Sequence, residues 1–583
     1  MQTLQSITVR MYYTGFGDCF LLTFRYSDHT AKTLWIDFGA RTGKADRMKL
    51  VAKHLKKHLT DEGLTRHGKP FVDVLAITHE HQDHISGFKQ AAAELGLDDD
   101  KSDNDPINIG QVWFAWTEDP NNDLAKIWRV HKQKSRQSLQ RVVQQVAAMA
   151  AAPPALTGRL AMLAGFEFAA TESDDDLPNG LNAAPATNAQ NLNFDFTLND
   201  SYAKLIKKVG PDNVHYLRPG HTADDKTVKP GDVIGETVAS PAGITVFPGM
   251  TLFVLGPPED LSIIRAGEPA DWTNSLQADT SAGEFGFGQS HFSYDSKNPA
   301  HASQHDFWYY VRKAPFDEEF VLPIDFETHS LPDGAIQSYR EQPTPVSRQL
   351  QNQFDKFGKT AVFKTYFSKK QAWRQINTDY MMSADDLAIK LNTGMNNTSL
   401  VLAMEIGQTG EVLFFSGDAE FGVWDDWEKD RISPDRVGKR HYTWTLPDPN
   451  NRNKPPRVVT AEDLMARTVF YKMGHHGSQN ATPNTRGIDK LKNPHLHSLI
   501  PVDHKKAASF GWDKIPFEPL LTKLTDRHIP HVRADQSAAD LAVARALTVP
   551  LPSGAVVTWD KDPNSNDEDP NSNLYVDWKL TFA

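Results

Sequence analysis

Four side chains able to bind a metal ion stand close together in one short stretch, Thr78-His-Glu-His-Gln-Asp-His84: they are His79, His81, Asp83 and His84. In an extended segment, side chains two apart point the same way, so His79 and His81 can grip one ion from one side. Asp83 and His84 follow where the chain turns into a helix, and they reach toward a second ion. Imidazole and carboxylate donors suit Zn²⁺ first, and Mn²⁺ or Fe²⁺ where carboxylate and water dominate. The chain has one cysteine, Cys19, which excludes both a Cys-rich zinc site and an internal disulfide. Any ion must therefore be held by histidine and carboxylate groups.

Two later segments supply further donors. Asp418 ends the apolar run Leu413-Phe-Phe-Ser-Gly-Asp418, where Gly417 lets the backbone come close and the carboxylate can join two cations. His475 and His476, in Lys472-Met-Gly-His-His-Gly-Ser478, follow another strand directly and are the best remaining suppliers of imidazole; which of the two binds is open. Lys472, on that preceding strand, reads as solvent-exposed. Asp37 ends the run Thr33-Leu-Trp-Ile-Asp37, and Asp18 lies in the turn Gly15-Phe-Gly-Asp18; turn chemistry alone accounts for either.

The elements that must position these groups are legible in part. Residues 7–13, 19–24 and 33–38 read as strands separated by Gly- and Asp-containing turns, an antiparallel start to a sheet. A helix carrying Leu50, His54 and Leu55 follows. Residues 71–78 form a nearly continuous apolar run, the pattern of a strand covered on both faces. Ile85, Phe88, Ala92 and Leu95 then recur at helical spacing, which puts the His/Asp motif in a strand-to-helix loop. Later strands are expected at 251–255, 399–406, 412–416 and 468–473, and helices at 119–151 and 202–209. The C-terminal region offers a helix at 517–524 and strands at 555–559 and 574–581, with the polar pentapeptide DPNSN repeated between them.

At 583 residues the chain is longer than one core usually supports, so large insertions or several domains are expected. The reading adopted is a single domain over 1–583. It has insertions at approximately 114–200 and 259–392 and a helix and strand extension over 505–583. A hydrophobic fraction of 39% and a charged fraction of 23% are those of a folded globular chain. The net charge of −12 argues against a surface built to neutralise phosphates, while leaving a local basic groove open. The N-terminal stretch lacks the features of a signal peptide, and no run is long and apolar enough to span a bilayer, so no membrane partner and a cytoplasmic location are expected.

Taken together, the segments Gly15–Phe20 (GFGDCF), Ile36–Gly39 (IDFG), THEHQDH, Asn396–Leu402 (NNTSLVL), FFSGD and GHHGS resemble the metallo-β-lactamase-fold hydrolases. The resemblance is especially to the branch containing the hydrolase domain of bacterial competence DNA-uptake proteins. The resemblance implies an α/β (α+β) fold, a four-layer αββα sandwich with metals at the sheet edges and long insertions. It implies two divalent ions: His79 and His81 on the first, Asp83 and His84 on the second, Asp418 bridging, and one histidine of GHHGS completing the set. His475 is assigned to metal, and His476 with Ser478 to substrate. Many members carry another metal-binding histidine between the first motif and the bridging Asp, and no histidine here stands in a matching motif. His215, His221, His291, His329 and His504 are the available candidates. The resemblance places Asp37 and Asp18 beside the site.

The expected function is metal-dependent hydrolysis by a metal-bound hydroxide, with Asp83 holding or deprotonating the water. Phosphodiesters, of nucleotides or nucleic acid, are the first substrate class. An acyl, lactone or thioester hydrolase of the same fold is the alternative, because fold and site are shared among these chemistries. A third reading is a component of a larger assembly whose insertions dock protein partners. Trp113, Trp116, Trp128, Trp424 and Trp427 could serve as contact surface but read more readily as core.

Overall fold

The computed structural model describes residues 2–41, 45–98, 105–148, 198–219, 233–235, 247–265, 391–427, 442–446, 456–509, 512, 514–535, 538–563 and 574–582. The greater part of both expected insertions, His221, His291, His329 and most of the DPNSN repeat lie outside these residues.

The chain is of mixed α/β class, built on two large mixed sheets. The first begins with the antiparallel strands β1 (Leu4–Tyr12), β2 (Phe20–Tyr26) and β3 (Ala31–Ile36). It continues in parallel through β5 (Lys69–Ala76), β6 (Asn108–Ala115) and β7 (Val214–Leu217), with the short β4 (Thr65–Arg66) beside β5. Its other edge is made by the end of the chain: β17 (Val556–Lys561) and β18 (Tyr575–Thr581), with β18 antiparallel to β1. The C-terminal strands thus complete the first sheet rather than extend from it.

The second sheet runs β8 (Val233–Gly235), β9 (Met250–Gly256), β10 (Val401–Ile406), β11 (Val412–Phe415), β14 (Thr468–Lys472), β15 (His497–Ile500) and β16 (His531–Arg533). The last four are mutually parallel. A separate hairpin pairs β12 (Thr443–Leu446) with β13 (Arg457–Thr460). No described helix is long and apolar enough to cross a membrane.

Strand periodicity explains the packing. On β2, Phe20, Leu22 and Phe24 enter one apolar cluster and Leu21 another; on β10, Leu402, Met404 and Ile406 divide in the same way from Val401 and Ala403. Strands buried on both faces need apolar residues at every position, which is the pattern these sequences have. The cluster shared by the two sheets includes Ile7, Val9, Met11, Met250, Phe415, Phe470 and Trp578. On the first sheet, helix α1 (Ala45–Asp61) presents Met48, Val51, Ala52, Leu55 and Leu59, a stripe at helical spacing, to Leu21, Trp35 and Leu75. On the second, Val423, Trp424, Leu464, Leu520 and Leu524 cover Phe414 and Tyr471. Trp113, Trp116, Trp128, Trp424 and Trp427 are all buried, so they belong to the core.

Strand order decides where the chemistry lies. Ile36 pairs with Ala76 across the parallel strands β3 and β5, so the residues after both strands emerge side by side. Phe415 pairs with Lys472, and Lys472 with Leu499, which aligns the ends of β11, β14 and β15 in the same manner. The backbone N–H of Leu400 donates to the Thr78 carbonyl at 2.8 Å and ties the two sets of strand ends together.

Candidate metal centre

β5 delivers Thr78 to Asp37. The Thr78 backbone N–H donates to Asp37 Oδ1 at 2.8 Å, and its hydroxyl to Asp37 Oδ2 at 2.7 Å. Asp37 itself sits at φ 56°, in the left-handed region that few non-glycine residues adopt and that Asp tolerates better than most. The chain then passes His79, Glu80 and His81 and enters helix α2 (Gln82–Gln90), with Asp83 in its first turn. A Cβ on Gly39 would lie 2.5 Å from the Asp83 carbonyl carbon, so only glycine lets the loop after β3 lie against the start of α2.

Asp83, His84, Asp418 and His476 converge, with one donor atom from each lying within 4.8 Å of all the others. All four are buried. His84 Nε2 is 3.0 Å from Asp418 Oδ2, and His476 Nε2 is 2.8 Å from Asp83 Oδ2. Each imidazole is oriented through its other nitrogen: His84 Nδ1 toward Asp37 Oδ2 at 2.8 Å, and His476 Nδ1 toward the Pro501 carbonyl at 2.7 Å. A proton on Nδ1 leaves each Nε2 lone pair aimed at the shared centre, the arrangement by which outer carboxylates and carbonyls orient metal-binding histidines. Asp83 Oδ1 is buried with no hydrogen-bond partner, an atom for which a cation would be the natural neighbour. Two imidazoles and two carboxylates fit Zn²⁺, and also Mn²⁺ or Fe²⁺.

The four side chains oppose one another in charge. Burial works against charge on all four residues, but mutual attraction prevails. His84 is held well above its ordinary value by Asp418, Asp83 and Asp37, and His476 is raised by Asp83. Asp83 and Asp418 are held below the usual carboxylate range, His84 being the strongest opposing charge for each. A second trio, Asp18, Asp37 and His84, has a similar spread. It is better understood as the support of His84, because Asp37 is bonded to Thr78 and His84, while Asp18 is paired with Lys472.

The remaining residues singled out in the sequence fall around this centre. His79 and His81 come together, Nε2 to Nδ1, at 2.9 Å, and the His79 ring lies 4.1 Å from that of His84. Among the described residues, no third His, Cys, Asp or Glu closes into a compact group with that pair. His475 is half-buried; its backbone N–H donates to Asp418 Oδ1 at 2.9 Å, and its Nδ1 lies 3.4 Å from Asn396 Nδ2. Burial lowers the His475 pKa to about 4. The structure therefore gathers His476, rather than His475, with the other donors. Ser478 Oγ is buried without a hydrogen-bond partner. His215 lies on β7, paired across to Trp113, and His504 Nδ1 bonds the Ile515 carbonyl at 2.8 Å; neither joins the donor group.

Two charged residues matter more here than their sequence context suggests. Lys472 was expected in solvent but is buried, ion-paired with Asp18 and 3.2 Å from Asp418 Oδ1. A lysine in a strand covered on both faces is tolerated only when carboxylates meet it. Glu80, between the two histidines, is fully buried and ion-paired with Lys132 and with Arg136 at 3.5 Å. Both cations come from helix α3 (Asp123–Ala148), at positions i and i+4 on one face. Burial opposes the Glu80 charge, but Lys132 and Arg136 prevail and lower its pKa to about 2. Strand alternation gives the sequence signal for Glu80, since a residue between two inward histidines must point away from them.

No protein-family model, curated protein or solved structure matches this chain. What the site can do therefore rests on its own geometry: a buried set of nitrogen and oxygen donors at the joined strand ends, able to hold a metal ion.

Proposed function

We propose that this chain is a metal-dependent hydrolase of the metallo-β-lactamase type, a four-layer αββα sandwich acting on phosphodiesters. The observation that carries the reading is the convergence of Asp83, His84, Asp418 and His476, three of them from the motifs HxHxDH and SGD and the fourth from GHHGS. The three apolar clusters, one between the sheets and one on the far side of each, support the layer order.

Zn²⁺ is the favoured ion, with Mn²⁺ or Fe²⁺ as alternatives. The tight donor group would hold one ion, and the His79–His81 pair would contribute to a second. Bound there, such ions supply a nucleophile at neutral pH and offset charge on the attacking and leaving oxygens.

The chain's own groups divide the remaining work. Asp83 is the residue to hold the attacking water or take its proton. Asp37 and the Pro501 carbonyl fix the two imidazoles. Lys472 and the His475 backbone N–H occupy Asp418 Oδ1, which leaves Oδ2 turned to the donor centre. Ser478 Oγ is a hydroxyl available to a phosphoryl oxygen. A phosphoryl centre suits this arrangement because its transition state spreads charge over several oxygens. With a net charge of −12, nucleotides fit better than long nucleic acid.

The test is hydrolysis of bis-p-nitrophenyl phosphate by the metal-loaded protein, with Mn²⁺ and Zn²⁺ compared and chelator as control. Activity should be lost with chelator and in Asp83→Asn. Turnover of lactones or thioesters with every phosphodiester untouched would move the assignment to acyl hydrolysis. Inactivity toward all of them, with a protein partner co-purifying, would favour the assembly component.

A further inference from the structure

The segment Asn396–Leu402 enters β10 beside the donor group, and its serine stands between two of the loops that carry donors. The Ser399 backbone N–H donates to the Asn396 carbonyl at 3.0 Å and the Leu400 N–H to the Thr78 carbonyl at 2.8 Å, which pins the chain at the serine. Ser399 is fully buried. Its Oγ accepts the Asp418 backbone N–H at 2.9 Å and lies 3.3 Å from His79 Nδ1. One hydroxyl therefore touches both the loop after β5 and the loop after β11. Gly417 permits this approach. It sits at φ 55°, and a Cβ there would lie 2.7 Å from Ser399 Cβ and 2.9 Å from its Oγ, so any side chain would have to push the serine aside.

His79 turns Nε2 toward His81 Nδ1, and its own Nδ1 faces two hydroxyls, Thr78 at 3.1 Å and Ser399 at 3.3 Å. The two are not equivalent. Thr78 gives its proton to Asp37 Oδ2 at 2.7 Å, so toward the ring it can only accept. Ser399 takes the Asp418 N–H on one lone pair and keeps a proton and a second lone pair, so it can hold the His79 ring in either tautomer. A histidine that binds metal through one nitrogen is oriented by a partner on the other. Asp37 stands in that relation to His84, and the Pro501 carbonyl to His476. Ser399 stands in the same relation to His79. The Asp418 carboxylate has supports of its own in His84, Lys472 and the His475 backbone N–H.

We propose that Ser399 is a positioning residue for the His79–His81 half of the centre: its hydroxyl, aimed by the Asp418 N–H, holds the His79 ring at Nδ1 and leaves Nε2 to the second ion. This inference rests on the two-ion reading of the metal centre, but it concerns metal affinity and is measurable without turnover.

Two measurements on the full-length protein test it. In competition for Zn²⁺ against a chromophoric chelator, the wild type should take up a tight and a weaker ion. Ser399→Ala should bind the weaker ion about 10–100-fold less well and the tight ion much as the wild type does. Ser399→Thr, which keeps the hydroxyl, should recover most of the loss. In the metal-free protein carrying isotope-labelled histidine, the ring nitrogen resonances of His79, assigned with His79→Ala, should move in Ser399→Ala, while those of His476, held by the Pro501 carbonyl, stay. The proposal is overturned if Ser399→Ala keeps wild-type affinity for the weaker ion, if it loses both ions equally, if the threonine form loses the weaker ion as the alanine form does, or if the His79 resonances do not move. Should the alanine form not fold, the threonine form decides: wild-type affinity for the weaker ion supports the role, and its loss overturns it. A wild type that takes up a single ion would remove the two-ion reading and this proposal with it. Two ions in the wild type with no effect of Ser399→Ala would remove this proposal alone. The expected Ser399 effects without hydrolysis of any phosphodiester would remove the proposed function and keep this role.

Discussion

His84 stands between two carboxylates, its Nδ1 2.8 Å from Asp37 Oδ2 and its Nε2 3.0 Å from Asp418 Oδ2. The first contact comes from the end of β3 and the second from the loop after β11, so one imidazole joins the two sheets. Asp37 fixes which nitrogen carries the proton and which faces the donor centre. Asp37→Asn should therefore lower metal affinity by about 10–100-fold, the range found when outer partners of metal-binding histidines are removed. Competition against a chromophoric chelator measures this. An unchanged affinity would reduce Asp37 to a brace for Thr78.

Metal content should follow the geometry of the donors. The compact group should load first, so His476→Ala should remove the tighter ion. His79→Ala combined with His81→Ala should lower total content while leaving that ion in place. Elemental analysis of the purified variants decides both points. Full content after the double substitution would end the case for a second ion, and full content in His476→Ala would overturn the assignment of the fourth donor.

Asp418→Ala should abolish metal-dependent hydrolysis while changing folding stability much less. The carboxylate is surrounded by His84, Lys472 and the His475 backbone N–H, but Lys472 keeps Asp18 as a partner when it is lost. Initial rates set beside urea unfolding curves make the comparison. Parallel loss of both would mean that Asp418 acts mainly as a structural counter-charge.

Lys472→Met should be a folding defect. Removing the cation leaves Asp18 buried with only His84 and His476, each 3.8 Å away, as opposing groups, and deleting one member of a buried pair typically costs about 3–5 kcal/mol. Urea denaturation of the metal-free protein should show a lower midpoint. A stability equal to the wild type would mean that Asp18 is readily neutralised by a proton.

Glu80 and Lys132 should be energetically coupled, because each is buried and each is the other's ion-pair partner. A double-mutant cycle with Glu80→Gln and Lys132→Met should return an interaction on the order of 2 kcal/mol. Strict additivity would show that α3 does not brace the metal-binding loop through this contact.

A pH dependence is expected at His54 and His58 on α1. Burial lowers His54 to about 4 and His58 to about 3, with Arg10 adding repulsion. Their unfolded pKa is higher, near 6.5. The unfolded chain therefore binds more protons over the intervening range, and the stability these groups contribute above about pH 6.5 is lost as pH falls toward their folded values. Replacing both by Asn should flatten the decline in unfolding midpoint between pH 7 and pH 4.5. An identical decline would place the acid sensitivity elsewhere.

The sequence by itself determined the donor chemistry and its immediate setting. A lone cysteine left His and carboxylate groups as the candidate donors, and THEHQDH between an apolar run and a helical pattern located the motif in the strand-to-helix loop where it is found. Both features are local, so spacing and periodicity suffice to read them. The tertiary structure alone decided which groups meet. Asp37 and Asp418 lie 47 and 334 positions from His84, and their approach depends on strand order and register across both sheets. The choice of His476 over its neighbour follows from the left-handed turn at both residues and the Pro501 carbonyl that holds the ring. The pairing of β18 with β1 joins the ends of the chain, a contact no local pattern specifies. Lys472 and Glu80 were hidden for a related reason: charged side chains are read as solvated, and burial becomes tolerable only once a distant element brings the opposite charge to them.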